Sequence, residues 1–258
     1  MRIGVCGAGG RMGREVCRAV AAEEDLELAC AVDPAFGGED LSRLVDGVPP
    51  GIAVAGDVGA MSQAAVDVMV DFTIAEAARE NLPRVLRWGI HCVVGTTGFS
   101  QADLDELGRS ASEGGVCCLV APNFALGAVL MMHFARRAAR YLERCEIIEL
   151  HHAAKLDAPS GTALNTARLI LEEKGLHEAA ESAEGPRGFT VGDINIHSVR
   201  LPGLVAHQEV IFGGPGQVLT IRHDSTDRTS FMPGVLMAVR SVVGMRGLLV
   251  GLESIMEL

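Results

Sequence analysis

The sequence is poor in aromatic residues, in lysine and in positive charge, and each shortage excludes something. One Trp and one Tyr occur in 258 residues, so aliphatic side chains must fill the core. Lys and Arg together number 22 against 33 Asp and Glu, a net charge of −11, and no basic block interrupts the chain. Such a surface repels phosphates and anionic lipids, so we expect neither a nucleic-acid partner nor a membrane partner.

Paired-cysteine motifs and long apolar runs are also missing. The seven Cys include no Cys-x-x-Cys spacing, and their odd number argues against a disulfide framework or a metal site. We therefore expect buried thiols in a reducing compartment, and no metal. The chain starts directly with a strand pattern instead of a signal-peptide pattern, and no apolar run reaches the about 20 residues that cross a bilayer. These features predict a cytoplasmic protein.

The first half of the sequence alternates strand and helix patterns. Strands are predicted at 2–6, 26–32, 52–55, 66–72, 91–94 and 116–120, and helices at 11–23, 76–88 and 101–112. Short apolar strands that alternate with helices predict an α/β fold with a parallel sheet covered on both faces. The first helix should bury the face that carries Met12, Val16, Ala19 and Val20. Pro83 should kink the second helix or mark its true start.

After Pro122 the pattern changes. Helices are predicted at 124–142 and 162–174, a strand at 146–152, an exposed acidic loop at 178–187, and three strands of a half-exposed antiparallel sheet at 194–200, 207–212 and 217–223. A helix at 233–243 and a strand near 248–252 end the chain. A length of 258 residues favours two lobes, with one large α/β unit as the alternative.

A glycine-rich loop joins the first strand to the first helix. Gly7, Gly10 and Gly13 allow a tight turn, close approach to a pyrophosphate and close helix–strand packing. Asp33 ends the second strand, where a carboxylate typically binds the ribose hydroxyls of a dinucleotide. An ordinary strand–helix turn is the alternative, but the position and the acidic partner together favour nucleotide binding.

Cofactor preference depends on the charges near that ribose. Asp33 repels a 2′-phosphate and favours NADH, whereas Arg11 could pair with that phosphate. Pro34 stands where an Arg would have favoured NADPH. We expect NADH as the cofactor, with NADPH tolerated.

Two more segments follow strands at the edge where open α/β sheets bind ligands. They are Gly95-Thr96-Thr97-Gly98 and Ala121-Pro122-Asn123-Phe124. Their small residues and free backbone groups could line the nicotinamide and its ribose, and plain turns are the alternative.

The most informative stretch runs from His151 to Thr162. His151, His152 and Lys155 lie at a strand end, just before Ser160-Gly161-Thr162 at the start of a helix. Free N–H groups, hydroxyls and the helix dipole make that start a seat for an anion such as a substrate carboxylate. The chain has 20 Arg and only two Lys, so a Lys at 155 suggests a need for a compact charge that can release a proton. Structural histidines are one alternative, and a metal site is another that lacks an evident third ligand.

These motifs, taken in order, resemble those of the dihydrodipicolinate reductase family. The matching segments are 7–13, 95–98, 122–124, His-His-x-x-Lys-x-Asp-Ala-Pro-Ser-Gly-Thr-Ala at 151–163, 198–203 and 227–231. The resemblance implies a Rossmann-like dinucleotide-binding domain over 1–122, completed by 232–258. A second α+β domain over 123–231 would bind substrate and build a homotetramer.

The resemblance also implies an activity and residue roles. The activity is reduction of 4-hydroxy-tetrahydrodipicolinate, a small dicarboxylate, by hydride from NAD(P)H in the diaminopimelate route to lysine. His151 would be the proton donor, Lys155 a second catalytic group, and His152, Ser160, Gly161 and Thr162 would bind the substrate. The cofactor would contact Gly7, Ala8, Gly9, Gly10, Arg11, Met12, Asp33, Gly95, Thr96, Thr97, Ala121, Pro122, Asn123 and Phe124. Arg228 and Phe231 are further candidates.

Two other functions are alternatives for this sequence. A reductase like aspartate-semialdehyde dehydrogenase needs a nucleophilic Cys near the start of its second domain, where this chain has Pro122-Asn123-Phe124, while Cys117 and Cys118 lie within a strand pattern. A non-catalytic NADH sensor gives no reason for His151 and Lys155 to cluster with an anion seat.

Overall fold

Alternating strands and helices build most of the chain in a computed structural model that describes residues 1–176, 180–183 and 186–258. In chain order the elements are β1 (Arg2–Cys6), α1 (Arg11–Ala21), β2 (Glu27–Val32), β3 (Val54–Ala55), α2 (Gly59–Gln63), β4 (Val68–Asp71), α3 (Ala75–Arg87), β5 (His91–Val94), α4 (Gln101–Gly114), β6 (Cys117–Val120), α5 (Leu126–Ala138), β7 (Arg144–His151), α6 (Gly161–Glu173), β8 (Glu181–Ser182), β9 (Phe189–Val191), β10 (Ile194–Arg200), β11 (Ala206–Gly214), β12 (Gln217–Ser225), α7 (Met232–Val242) and β13 (Gly247–Val250).

Two compact units result. Unit 1 comprises Met1–Phe124 and Phe231–Glu257, and unit 2 comprises Ala125–Ser230 with Leu258. Among the described residues, no helix is both long and apolar enough to cross a membrane.

Unit 1 is built on a seven-stranded sheet in the order β13-β6-β5-β4-β1-β2-β3. All of its strand pairs are parallel, which confirms the predicted α/β class. Every residue of β4 and β6 is buried, as expected for a parallel sheet covered on both faces. The strand order changes direction between β1 and β4, the point at which such sheets bind ligands.

The cysteines contribute to this interior, as predicted. All seven are free thiols and all are buried. Cys6, Cys30, Cys92 and Cys118 belong to one apolar cluster of the unit 1 core.

Three details of unit 1 differ from the sequence predictions. Helix α1 buries the predicted Val16 and Val20, but Gly13 and Cys17 are buried in place of Met12 and Ala19, because close packing against β1 turns the glycine side inward. Of the two roles predicted for Pro83, it does not mark the start of α3 but lies inside the helix, where it is buried with the apolar face that stabilises the helix against the core. The short helix α2 was not predicted.

Unit 2 contains a six-stranded sheet in the order β12-β11-β7-β10-β9-β8. The predicted antiparallel arrangement is correct for β11 with β12 but only partly correct for β10, which pairs antiparallel with β9 and parallel to β7. Helix α6 crosses from the end of β7 to the β8–β10 side of the sheet, and such a crossover returns the chain in the parallel direction. Strand β9 was missed. The predicted loop 178–187 is wrong at Glu181–Ser182, which forms β8, and its residues 178–179 and 184–185 lie outside the described residues.

The side chains of this sheet alternate between two faces. Helix α5 packs on β11 and β12, and α6 packs on β7, β9 and β10. Cys145, Ile147 and Glu149 of β7 are buried on the helix side. The opposite face carries Ile148, Ile211 and the exposed Val218, among other residues.

Candidate functional site

In unit 1, the loop between β1 and α1 is shaped by its glycines. Gly7 has φ +76°, in the left-handed region that favours glycine. The N–H groups of Gly7 and Ala8 donate to the carbonyl of Val32 at 2.9 and 3.2 Å. A Cβ at Gly13 would lie 1.9 Å from the carbonyl oxygen of Gly7, so α1 approaches the strand end as closely as a backbone allows. The N-terminus of α1 opens beside this turn at Arg11.

Asp33 fixes the far side of the loop. Its Oδ2 accepts a hydrogen bond from the Gly9 N–H at 3.0 Å, and its Oδ1 accepts one from the Ala35 N–H at 3.0 Å. Arg14 donates from Nε to the Gly9 carbonyl at 2.7 Å and lies over the Phe36 ring. Arg11 is exposed, and no contact of its guanidinium is recorded among the described residues.

A cavity of about 530 Å³ lies at the carboxyl ends of β1, β2 and β4. Its lining includes Gly7, Gly10, Asp33, Pro34, Asp57 and Thr73. A concave site of this size at the switch point, beside a glycine turn and a helix N-terminus, fits a dinucleotide.

The segment 95–97 is held by a buried carboxylate that the sequence analysis did not single out. Asp71, at the end of β4, is 0% exposed. Its Oδ1 accepts hydrogen bonds from the hydroxyls of Thr96 at 2.6 Å and Thr73 at 2.9 Å, and the Thr73 N–H donates to Thr96 Oγ1 at 2.9 Å. Burial raises the pKa of Asp71, and the hydrogen bonds from Thr96 and Thr73 oppose the shift. Asp71 therefore joins the loops that follow β4 and β5.

Packing of aromatic rings defines the rest of this edge. A Cβ at Gly95 would lie 2.0 Å from the Phe72 ring. The Phe72 and Phe124 rings are 5.7 Å apart between centroids, and Ala121 donates to the Val94 carbonyl at 2.9 Å. Ala121 and Phe124 are buried, Pro122 is exposed and Asn123 is half-buried. Met12 is half-buried and Thr97 exposed.

Loss of the Thr96 hydroxyl should disturb these loops. In Thr96→Val, buried Asp71 lacks its shortest donor, so we expect the free energy of unfolding to fall by about 1–3 kcal/mol and NADH to bind more weakly. Urea unfolding and calorimetric titration measure the two effects. Thr97→Val is the stability control because Thr97 is exposed. Equal stability of the two variants would contradict the role given to Asp71.

In unit 2, His151 ends β7 beside a buried ion pair. Its Nδ1 lies 2.5 Å from Oε2 of Glu149, which is 0% exposed. Arg200 of β10 donates from Nη1 to Oε2 at 2.8 Å and from Nη2 to Oε1 at 2.7 Å. Burial alone would raise the pKa of Glu149, but hydrogen bonds from His151, Arg200 and Ser198 outweigh it and lower the pKa to about 2. Glu149 is therefore ionised and accepts the His151 proton.

Lys155 lies in the loop between β7 and α6. Its Nζ donates to Oδ1 and Oδ2 of Asp157 at 2.7 and 2.8 Å, and this hydrogen bond lowers the pKa of Asp157. The Lys155 N–H donates to the His152 carbonyl at 3.1 Å. Both His152 and Lys155 are half-buried.

The helix N-terminus next to this loop is the predicted anion seat. Ser160 is buried, and its Oγ accepts a hydrogen bond from the Ala163 N–H at 3.2 Å as the N-cap of α6. Gly161 is exposed, and a Cβ built on it would meet nothing within 4 Å. Thr162 is half-buried. The predicted seat is therefore open to solvent at Gly161, and the buried Ser160 caps the helix next to it.

Comparison with known families identifies the chain. A sequence model for the N-terminal domain of dihydrodipicolinate reductase matches residues 1–124, and one for the C-terminal domain matches residues 127–256. This chain belongs to the dihydrodipicolinate reductase family. The resemblance read from the sequence motifs is confirmed.

Members of the family match over their whole length. The 4-hydroxy-tetrahydrodipicolinate reductase of Moorella thermoacetica is 49% identical over 263 residues, covering 100% of this chain and 98% of that protein. The Mycolicibacterium smegmatis enzyme of the same name is 48% identical over 264 residues, covering 100% of both.

Solved structures also resemble this chain in fold. A dipicolinate-bound dihydrodipicolinate reductase from Paenisporosarcina sp. TG-14 superposes with a TM-score of 0.85 at 40% identity, covering 99% of each chain. An amine dehydrogenase from Mycobacterium smegmatis, with a TM-score of 0.70 at 15% identity over 96% of this chain and 94% of that one, shares the fold alone.

The alternative that needs a nucleophilic cysteine finds no support in this family member. Cys117 and Cys118 are buried in β6. Burial raises the pKa of Cys117 to about 11 and that of Cys118 further, so neither thiol ionises readily. Among the residues that the structure describes, no group of three or more His, Cys, Asp or Glu is placed to hold a metal ion.

Three residues that contact the candidate site were not identified from the sequence: Asp71, Glu149 and Arg200. Glu149 was recognisable, because it alternates with Cys145 and Ile147 on the buried face of a strand. A buried charge at such a position requires a partner. Arg228 is exposed in a 3-10 turn of unit 2 that ends at Phe231, which is half-buried in unit 1.

Proposed function

We propose that this chain reduces 4-hydroxy-tetrahydrodipicolinate to tetrahydrodipicolinate with a reduced nicotinamide, in the diaminopimelate route to lysine. The assignment rests on sequence identities of 49% and 48%, over the full length of this chain, to two reductases of that name. The network of His151, Glu149 and Arg200, next to Lys155 and an open helix N-terminus, supports it.

The residues have distinct roles in this reaction. The substrate loses water to give a conjugated ring, and the bound nicotinamide supplies the hydride that adds to a ring carbon. Electron density then moves to the ring nitrogen, where His151 delivers the balancing proton from Nε2 while Nδ1 stays bonded to Glu149. A positioned acid typically contributes ~10²–10⁴-fold. The Lys155 ammonium stabilises the developing charge, and His152, Ser160, Gly161 and Thr162 form the seat for the carboxylates.

A coupled assay tests the activity. Pyruvate and aspartate semialdehyde are condensed enzymatically to generate the substrate, and NADH oxidation is followed by its absorbance. We expect rapid oxidation that requires both precursors. Oxidation no faster than in a control without pyruvate would refute the assignment.

We further propose NADH as the preferred cofactor, with NADPH accepted. Asp33 lines the cavity and bonds the glycine loop, so its carboxylate would accept the ribose hydroxyls of NADH and repel a 2′-phosphate. Pro34 beside it offers no positive charge. The rest of the proposed cofactor site consists of the glycine turn and the two loops after β5 and β6: Gly7, Ala8, Gly9, Gly10, Arg11, Met12, Gly95, Thr96, Thr97, Ala121, Pro122, Asn123 and Phe124.

Removal of the Asp33 charge should change that preference. In Asp33→Asn the amide keeps the side-chain shape, and we expect the ratio of kcat/KM for NADPH to that for NADH to rise about fivefold, since a like charge beside the phosphate is worth about 1 kcal/mol. Asp57→Asn is the matched control, because Asp57 lines the same cavity. An unchanged ratio in Asp33→Asn, or a larger change in the control, would contradict the role of Asp33.

We also propose a homotetrameric assembly in the cytoplasm. The face of the unit 2 sheet opposite α5 and α6 carries apolar side chains, with Val218 at 71% exposure, and such a face suits burial against other copies. Seven free thiols suit a reducing compartment. Sedimentation velocity should give the mass of four chains, and we expect Val218→Arg to lower it; a monomer in both proteins would exclude this assembly.

A further inference from the structure

One buried carboxylate in unit 2 touches both parts of the proposed substrate site. Oε2 of Glu149 binds Nδ1 of His151 at 2.5 Å. Oε1 accepts a hydrogen bond from the N–H of Ser160, the N-cap of α6, at 3.2 Å. The proposed proton donor and the proposed anion seat are therefore fixed to one side chain, although Ser160 lies eleven residues further along the chain.

Arg200 completes this arrangement from the neighbouring strand. It binds both oxygens of Glu149, and its Nη2 also donates to the carbonyl of Asp157 at 2.7 Å. The loop that carries Lys155 is thus anchored through Arg200 at Asp157 and through Glu149 at Ser160. An uncompensated charge at the position of Glu149 would be strongly destabilising, so the pairing with Arg200 is what allows an ionised carboxylate there.

The hydrogen-bond pattern fixes the tautomer of His151. An ionised carboxylate can only accept, so the proton between Glu149 and His151 belongs to Nδ1. Neutral His151 therefore leaves Nε2 without a proton, and protonated His151 carries its transferable proton on Nε2. Without the carboxylate, either nitrogen could carry the single proton of the neutral ring.

We propose that Glu149 is a positioning residue for the reaction: its carboxylate holds the Nδ1 proton of His151, directs Nε2 to the substrate and, with Arg200, anchors the loop that ends in the anion seat. This inference rests on the proposed function. Glu149 acts through His151 and Ser160, and does not itself exchange a proton with the substrate.

The charges around His151 determine the expected pH dependence. Glu149 lies on the same strand and Arg200 on β10. His152, Lys155 and Asp157 lie in the following loop. On the neighbouring strand β11, His207 is paired with Asp224. Glu149 is the carboxylate in contact with the His151 ring, so its removal should change the pH profile of kcat.

Glu149→Gln is the main test variant. Its amide oxygen can still accept from Ser160, so we expect little change in KM, whereas kcat should fall at least ~10-fold because the ring loses its fixed tautomer and orientation. Glu149→Asp keeps the charge and should recover part of kcat. Because Gln leaves Arg200 without its counter-charge, the double variant Glu149→Gln with Arg200→Gln is measured as well and should show the same loss.

Glu146→Gln is the matched control. Glu146 lies on the same strand and binds His197 of β10 at 2.8 Å, so it forms a similar carboxylate–imidazole pair outside the proposed site. The control should keep the kcat and pH profile of the wild type. A loss equal to that of Glu149→Gln would overturn the proposal.

A spectroscopic readout separates this inference from the proposed function. The chain has eight His, and comparison with His151→Ala assigns the nitrogen signals of His151 in isotope-labelled protein. We expect Nδ1 to be protonated in the neutral ring of the wild type and the two tautomers to mix in Glu149→Gln. An inactive wild type with this spectral difference would refute the proposed function alone. Wild-type kcat, pH profile and tautomer in a folded Glu149→Gln or double variant would overturn the positioning role.

Discussion

His151→Ala and Lys155→Ala should each lower kcat by ~10²-fold or more, while both variants should bind NADH as the wild type does. The first change removes the proposed acid, which would supply the proton to the ring nitrogen, and a positioned acid contributes ~10²–10⁴-fold. The second removes the ammonium group next to the anion seat. Among the described residues, the Lys155 ammonium pairs with Asp157, whose side chain is 60% exposed. Release of that ion pair to a substrate carboxylate would therefore cost little.

The chain provides a control for each variant. Lys174 is the only other lysine, and its Nζ donates to the Glu143 carbonyl at 2.6 Å. His197 pairs with Glu146. Lys174→Ala and His197→Ala should keep normal kcat. Steady-state assays with generated substrate and calorimetric titration with NADH measure the effects, and normal turnover in His151→Ala or Lys155→Ala would remove that residue from the mechanism.

Gly13→Ala should abolish measurable NADH binding. The new Cβ would lie 1.9 Å from the oxygen and 2.7 Å from the carbon of the Gly7 carbonyl group. Both are backbone atoms, so no flexible side chain can move away, and α1 must shift from the turn that would hold the pyrophosphate. We expect the free energy of unfolding to fall by about 1–3 kcal/mol as well, as for other overpacked positions.

Gly108→Ala is the control for that variant. Gly108 lies within α4, where a Cβ would be 3.6 Å from the Leu248 Cβ, an ordinary contact. Alanine is favoured over glycine inside a helix by about 1 kcal/mol, so this variant should be as stable as the wild type or more so. Calorimetry and urea unfolding give both quantities. Full NADH affinity in Gly13→Ala would show that the glycine turn does not hold the cofactor.

Some elements were predictable because their signals are local. Strands β1, β5 and β10 have the predicted bounds, since short apolar or alternating runs between turns suffice to define them. Ala163, Ala167 and Ile170 are buried in α6, within the helix predicted at 162–174 and at the spacing of one helix face. The helix predicted at 124–142 is several residues longer than α5. The Ala and Arg residues at its end have high helix propensity, but tertiary packing does not extend the helix over them.

By itself the sequence determined the α/β class, the glycine turn, the seven buried thiols and the order of motifs that marks this family. Each of these depends on residue type and spacing along the chain. Only the tertiary structure decided that β10 lies parallel to β7, which brings Arg200 to Glu149 across 51 residues, and that Asp71 joins two loops. Strand pairing joins residues far apart in sequence, and no local periodicity records which strands become neighbours.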